Sequence, residues 1–248
     1  MDFGYTAEEI EYRDRLCEFL DRELTEEIAR QNWEDLGVGP EAREFSRKLA
    51  AFGFLGMSWP KEYGGQGLSQ TYDFILLDEL GKRWGAHVPL DVGYTMVGPT
   101  ILRRGSEPLK KEFIPQIVGG EIEFCLGYSE PDAGSDLASL RMEAVEDGDA
   151  FVINGQKTFN TECHYSEYHW LAARTDLRPE ASRHKSISLF IVDRDSPGVT
   201  VRPMMTMSGE QTNEVFYDNV RVPKHRLVGE INKGFYYVME AIGSERNQ

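Results

Sequence analysis

Cysteine is scarce: the chain has three in 248 residues, Cys17, Cys125 and Cys163. None belongs to a CxxC pair, so neither a disulfide framework nor a zinc knuckle is indicated. Histidine is sparse as well. His164, His169 and His225 show no ligand spacing, read as barrel or surface residues, and give no reason to expect a metal. Long apolar runs are missing: no stretch of about 18 apolar residues occurs, so no membrane span is expected. The opening residues, MDFGYTAEEIEYRDRL, are acidic and lack an apolar signal core, which makes the cytoplasm the default address. Positive charge is outnumbered, with 27 Lys and Arg against 42 Asp and Glu and a formal charge of −15. That excludes the broad basic footprint of a nucleic-acid binder. It leaves room for a small basic pocket holding an anionic cofactor. No internal repeat and no low-complexity tract is found.

What is present is globular: 40% hydrophobic and 28% charged residues, in a chain long enough for one large domain or two smaller ones. The first 120 residues read as helices. From Thr6 to about Arg30, Ile10, Leu16, Leu20, Leu24 and Ile28 mark one face, and Thr6 with Glu9 matches a capping box. A second helix starts near Pro40, carries Ala42, Phe45, Leu49 and Phe52, and stops at Gly53. GFLGMSWPKEYGGQGLS is a long loop, a length that usually carries a function. Ser69–Trp84 is a third helix facing inward through Phe74, Leu77, Leu80 and Trp84. Pro89–Arg104 is a fourth, apolar nearly all round. Glu107–Val118 is a fifth, with Phe113, Ile114, Ile117 and Val118 inward and Pro115 predicting a kink or early end.

The period then changes to that of short strands. FCLGY is one. Arg141–Glu146 and Ala150–Asn154 form a hairpin through DGD, and Asn154-Gly155 reads as a second turn. WLAART, SISLFIV, VTVRPM and VFYDNVRV follow. This set suggests a small barrel or sandwich of about 110 residues. Helical signal returns in GFYYVMEAIGSERNQ, with Phe235, Val238, Met239 and Ile242 on one face. A helix that ends the chain just as it offers a core face predicts a missing C-terminal region. Glu210 to Asn213 reads as an exposed turn.

The order of these elements is uncommon, and its junctions carry specific residues. FCLGYSEPDAGSD (Phe124–Asp136) resembles the flavin loop of acyl-CoA dehydrogenases, and VINGQKTFNT (Val152–Thr161) resembles their NGxKxW-x-T/S segment. SWPKEYGGQGLS, PTILRRGSEPLKKEFIPQIVGGE, VFYDNVRVP and GFYYVMEAIGSER match further family positions in order. The resemblance implies an α+β fold: an N-terminal α-helical domain at 1–120, a small middle β-barrel domain at 121–229, and at 230–248 the first helix of a truncated C-terminal four-helix bundle. It implies FAD as cofactor and an acyl-CoA thioester as substrate, with a base removing the α-proton and a hydride passing from the β-carbon to flavin N5.

The resemblance also implies roles for individual residues. Leu126, Tyr128, Ser129, Gly134, Ser135, Phe159, Asn160 and Thr161 would bind the flavin. Ser129 would bond its pyrimidine edge and Leu126 would pack near the same ring. Thr161 would bond N5 and Phe159 would stack in place of the family's usual Trp, without the indole N–H. Asn160 would contribute mainly its backbone. Ser135 would also contact the CoA, and Tyr94, Met96, Val97 and Pro99 would line the acyl pocket. Taken alone, GSD reads equally as a Ser-Asp turn cap and the buried Met and aromatic residues as plain core. Apart from the resemblance, the positive charge of Arg183, His184 and Lys185 in a loop of an acidic protein reads either as a contact for the CoA phosphates or as a solvated surface triplet. The family's catalytic Glu falls beyond Gln248, so no catalytic residue is assigned, and Glu240 and Glu245 do not match its position. Expected partners are an electron-transfer flavoprotein or similar acceptor and other subunits of a homo- or hetero-oligomer. Alternatives are a non-catalytic subunit of a heteromeric dehydrogenase, a flavin oxidase or monooxygenase on the same scaffold, and an acidic module without cofactor. The loop GYSEPDAGSDLASLR looks most like bacterial members, some acting on bulky or steroid-derived acyl-CoAs, which points to lipid and steroid degradation.

Overall fold

The computed structural model describes residues 4–28, 30, 39–84, 92–207, 209 and 211–245. Two compact units result, Met1–Leu90 with Pro115–Glu121 and Asp91–Ile114 with Ile122–Asn247. In the first unit, α1 (Ala7–Glu23) opens with the expected capping box: Glu9 N–H donates to the Thr6 hydroxyl and Thr6 N–H to the Glu9 carboxylate. The helix stops at Glu23 rather than running to Arg30. Leu24 is extended, and the Thr25 hydroxyl caps the next turn through Ile28 N–H. Its buried face is Tyr12, Leu16, Phe19 and Leu20, whereas Ile10 is exposed. Phe19 meets Phe45 of α2 (Pro40–Ala51) and Phe54 beyond it, with ring centroids 5.9 and 5.2 Å apart. Phe52, expected inward, is exposed at the end of α2, where Arg22 lies over its ring.

The loop after α2 is itself packed, burying Phe54, Leu55, Met57, Trp59 and Tyr63. Gly65 is required there, because a Cβ at that position would lie 2.2 Å from the Trp59 carbonyl oxygen. Helix α3 (Gln70–Trp84) turns Ile75, Leu76, Glu79 and Leu80 inward and leaves Phe74 exposed. The expected face is therefore rotated. The reason is charge: α3 packs on α1 through Glu79, which takes the Cys17 thiol at 3.3 Å and Arg83 at 2.7 Å. The Trp84 side chain and residues 89–91 of the expected fourth helix lie outside the described residues.

The second unit begins with a π-helical turn, Gly93–Val97, continued by α4 (Gly98–Arg104). Helix α5 (Glu107–Val118) passes through Pro115 without ending. Strands β1 (Phe124–Gly127), β2 (Glu143–Asp147), β3 (Ala150–Lys157), β4 (Tyr168–Arg174), β5 (Ile187–Asp193), β6 (Val199–Met205), β7 (Gln211–Pro223) and β8 (Leu227–Val228) follow. They form one sheet in the order β6-β7-β3-β2-β4-β5-β8, with β1 parallel to β4. The sheet curls around one core that includes Phe151, Ile153, Leu171, Phe190, Val192, Val215 and Val222. It is a small barrel whose end strands in the pairing order are β6 and β8. Strands β4 and β5 are buried along nearly their whole length, as strands covered on both faces must be. Strand β6 is an edge and stays largely exposed. Asn154-Gly155 is not a turn. It forms a bulge inside β3, where pairing to β7 slips between Ile153 and Gly155 and Gly155 takes φ 146°. Helix α6 (Gly234–Glu245) packs on β5 and the π-turn through Tyr237, Val238 and Ala241, while Met239, expected inward, is exposed.

Candidate functional site

Strands β1 and β3 end side by side, and the chain beyond each is sewn to the other. Thr158 N–H donates to the Ser129 carbonyl at 2.9 Å, and Lys157 Nζ donates to the Tyr128 carbonyl at 3.0 Å. The Asn160 side chain donates to the Leu126 carbonyl at 2.7 Å. Leu126, Tyr128, Ser129, Phe159, Asn160 and Thr161 are thus brought together. Gly134 and Ser135 are exposed on the far side of a tight turn, closed by mutual backbone hydrogen bonds between Glu130 and Ala133, and bond to none of the six. Asn160 works through its side chain as well as its backbone, because it is fully buried and its amide is the tie to β1. Asn213 is not in an exposed turn. It is buried at the start of β7, accepts Asn160 N–H at 3.0 Å and donates to the Asn160 carbonyl at 2.8 Å. Glu210 lies outside the described residues.

Beneath the two segments is an ion pair that the motif reading passed over. Lys157, 0% exposed, bonds Glu130 at 2.8 Å. Glu130 also accepts the N–H groups of Arg141 and Met142 at 2.6 and 3.0 Å. Burial pulls the Lys157 ammonium down to about 8 against the opposing pull of Glu130. A signal existed: alternation from Phe151 and Ile153 points Lys157 inward, and a buried lysine needs a carboxylate.

Above this frame the groups are free. Phe159 is 64% exposed although its backbone sits at φ 56°, and Glu162 follows at φ 68°. Bulky residues adopt that region only under constraint, and such strain gathers at ligand sites. Among the described residues, no protein group bonds the hydroxyls of Ser129 and Thr161, and Asn160 Oδ1 is a buried acceptor without a partner. Burial, then the Glu123 carboxylate, push the Glu162 carboxyl up to about 7. The arrangement offers a planar ligand an aromatic face and two hydroxyls.

Tyr94, Met96 and Val97 are buried on the π-turn, which packs against β1 and α6, and Pro99 is half-buried. A single π-turn widens a helix and often marks a functional site. An open cavity of about 280 Å³ lies beside Ser139, Arg141, Arg174, Arg178 and Arg183. Arg178 is held by Asp176 at 2.6 Å, while Arg183 and Arg141 stand 3.8 Å from Asp136 and Asp132. His184 packs edge-on against Phe235, and Lys185 is exposed. A second cavity, of about 560 Å³, is walled by Gln211, Asn213 and His164, next to the Asn160 tie. The barrel core also gathers Cys125, Cys163 and His169, which showed no pairing or ligand spacing in the sequence. Parallel pairing of β1 with β4 sets Cys125 opposite His169, and the turn after Thr161 delivers Cys163. A hydrogen bond from Cys125 and one with His169 hold the Cys163 thiol down at about 5 despite its burial.

No described helix is long and apolar enough to cross a membrane. Residues 6–121 match the family model of the acyl-CoA dehydrogenase N-terminal domain, and residues 125–220 match that of the middle domain. Acyl-CoA dehydrogenase FadE29 of Mycobacterium tuberculosis is 45% identical over 84% of this chain and 53% of its own length. Acyl-CoA dehydrogenase FadE26 of the same organism is 39% identical over 99% of this chain and 62% of its own. The chain therefore spans between half and two thirds of these relatives. Among solved structures, the Tcur3481-Tcur3483 steroid ACAD superposes with a TM-score of 0.86 at 42% identity, over 99% of this chain and 63% of that one. The ChsE4-ChsE5 complex from Mycobacterium tuberculosis gives 0.83 at 39%, over 99% and 62%. With both family models matched in order, the chain belongs to the acyl-CoA dehydrogenase family.

Proposed function

We propose that this chain forms the helical and barrel part of an FAD-dependent acyl-CoA dehydrogenase acting on a bulky, steroid-derived acyl-CoA. The exposed, backbone-strained Phe159 carries the reading. An aromatic ring kept in water at φ 56°, on a loop anchored by Asn160, Asn213 and Lys157, makes sense as a stacking surface. The half-buried hydroxyls of Ser129 and Thr161 suit the hydrogen-bonding edge of an isoalloxazine. FAD, when bound, supplies the hydride acceptor. The chain's own residues orient it: Ser129 on the pyrimidine edge beside Leu126 and Tyr128, Thr161 toward N5 and Phe159 on one face. The buried Lys157–Glu130 pair keeps both segments fixed, so their donors need no rearrangement as charge develops.

For the substrate, Tyr94, Met96, Val97 and Pro99 lie on a turn packed against β1, close to where the ring would stack. Ser135 and the basic residues Arg183, His184 and Lys185, the first of which lines the arginine-rich cavity, would meet the anionic CoA. The arginines there are largely balanced by aspartates, so their contribution is steering and positioning. No carboxylate of this chain is assigned as base. Glu240 is engaged with Arg103 and Arg104 at 3.4 and 3.1 Å. The steroid class rests on the Tcur3481-Tcur3483 relative. Electrons would pass on to an electron-transfer flavoprotein or similar acceptor.

The test uses the full-length protein. Thr161→Val, Ser129→Ala and Phe159→Ala are expected to weaken FAD retention or shift its potential, and a panel of acyl-CoAs is expected to bleach the wild-type flavin. Normal flavin content and potential in all three variants would reject the platform. A second reading, a non-catalytic subunit of a mixed assembly, is favoured by one observation: the ChsE4-ChsE5 relative is a complex of two different chains. A flavin that bleaches only when a second subunit supplies the base would select it.

A further inference from the structure

We propose that Cys125, Cys163 and His169 form a binding site for one zinc ion inside the barrel. The ligand atoms of the three residues all lie within 4.8 Å of one another. Donors around a tetrahedral zinc, with bonds of about 2.0 to 2.3 Å, fall within that span. They come from three separate pieces of chain: β1, the turn after Thr161, and β4. Cys125 and His169 face each other across the β1–β4 pair, and Cys163 Sγ is 3.1 Å from His169 Nε2.

The surroundings of the cluster fit a metal as well. His169 Nδ1 is 2.5 Å from the Tyr217 hydroxyl. With Nδ1–H donating to that oxygen, the ring is fixed in the tautomer that leaves the Nε2 lone pair free on the side of Cys163 Sγ, as ligating histidines require. Two thiolates cancel the charge of a divalent ion. The neutral unit is therefore compatible with its apolar neighbours in the core, Met142, Ala144, Ile153, Leu171 and Val215. Two thiolates and one imidazole match a zinc donor set and leave a fourth position open. The ion would link β1, which leads directly into Leu126–Ser129, to the turn that follows Thr161. It would thus clamp the two segments of the site from beneath, and it binds whether or not a flavin does.

The experiment is elemental analysis of the full-length protein, grown with zinc and purified without chelator. About one zinc per chain is expected, with sulfur and nitrogen neighbours at the zinc absorption edge. Cys163→Ala should lower the content at least about tenfold, and Cys17→Ala, a cysteine outside the cluster, should leave it unchanged. If Cys163→Ala does not fold, Tyr217→Phe serves instead. It keeps all three ligands, frees Nδ1, and should weaken zinc retention against a competing chelator about tenfold or more. Three results would each overturn the proposal: wild-type protein free of zinc after growth and after refolding with the ion, a native Cys125–Cys163 disulfide, or undiminished zinc in the variants.

Discussion

Two buried carboxylates, one in each compact unit, are neutralised in opposite ways. Glu79 on α3 is 5% exposed and collects Arg83 at 2.7 Å, Lys82 at 3.0 Å and Arg13 at 3.7 Å. The side chains of those cations remain 24%, 54% and 42% accessible. Glu130 instead meets Lys157, which water does not reach, and two backbone N–H groups. The first arrangement is adjustable, because any of three cations can swing in and solvent screens the rest. The second has one geometry. That contrast matches location: Glu79 joins two helices, whereas Glu130 and Lys157 hold the candidate flavin platform.

The largest effect should come from breaking the second arrangement. Lys157→Met removes the cation bonded to a buried carboxylate, for which about 3–5 kcal/mol of stability is expected to be lost. Chemical denaturation measures it, and a loss under about 1 kcal/mol would mean that the backbone N–H groups alone satisfy Glu130. Glu79→Gln should cost less, about 1–2 kcal/mol at neutral pH, since its partners are solvated. Its pH signature separates it further. Although burial acts upward, Lys82 and Arg83 hold the Glu79 carboxyl down at about 2, from 4.5. A depressed acid contributes stability that is complete above the unfolded value and fades as pH falls through the folded one. The gap between wild type and Glu79→Gln should therefore close between about pH 4.5 and pH 2.

Much of this contrast was hidden in the sequence for a physical reason. Local signals were readable: the Thr6–Glu9 box, the strand runs, and the segments Phe124–Asp136 and Val152–Thr161 as motifs. Side-chain direction was not. A count of apolar spacings on α3 favours Phe74, but the helix turns Glu79 inward because its ion cluster is satisfied on the α1 side. Asn154-Gly155 has the composition of a turn, and only the partner strand β7 makes it a bulge. Lys157 and Asn213 look like surface residues until the strands close around them. Cys125, Cys163 and His169 are distant or irregular in sequence; the β1–β4 register brings Cys125 to His169, and the turn after Thr161 adds Cys163. Non-local pairing created each of these features, and only the inward turn of Lys157 had a local trace, in its alternation with Phe151 and Ile153.

Glu162 sharpens the comparison from the other side, as a half-buried acid that forms no ion pair among the described residues. Burial and Glu123 raise it to about 7 from 4.5. The folded state then binds its proton more tightly than the unfolded chain does, so stability falls as pH rises across that interval. Glu162→Gln should be more stable than wild type above pH 7, by about 1–3 kcal/mol, with the difference vanishing below about pH 4.5. Thermal melts at both ends of the interval measure this. A variant that is less stable at high pH would show that the carboxylate form has a stabilising partner.

The smallest change in stability is expected at Phe159, where the greatest change in ligand retention is predicted. The ring is 64% exposed and its backbone lies at φ 56°. Glycine adopts that conformation freely, which relieves about 1 kcal/mol of strain. It also adds about the same entropy to the unfolded chain. Phe159→Gly should therefore leave the melting curve within about 1 kcal/mol of wild type while FAD retention by the full-length protein drops. Lys157→Met would lower both together, because it loosens the frame. A Phe159→Gly protein that melts early and keeps its flavin would mean the ring is part of the packing and that the stacking surface lies elsewhere.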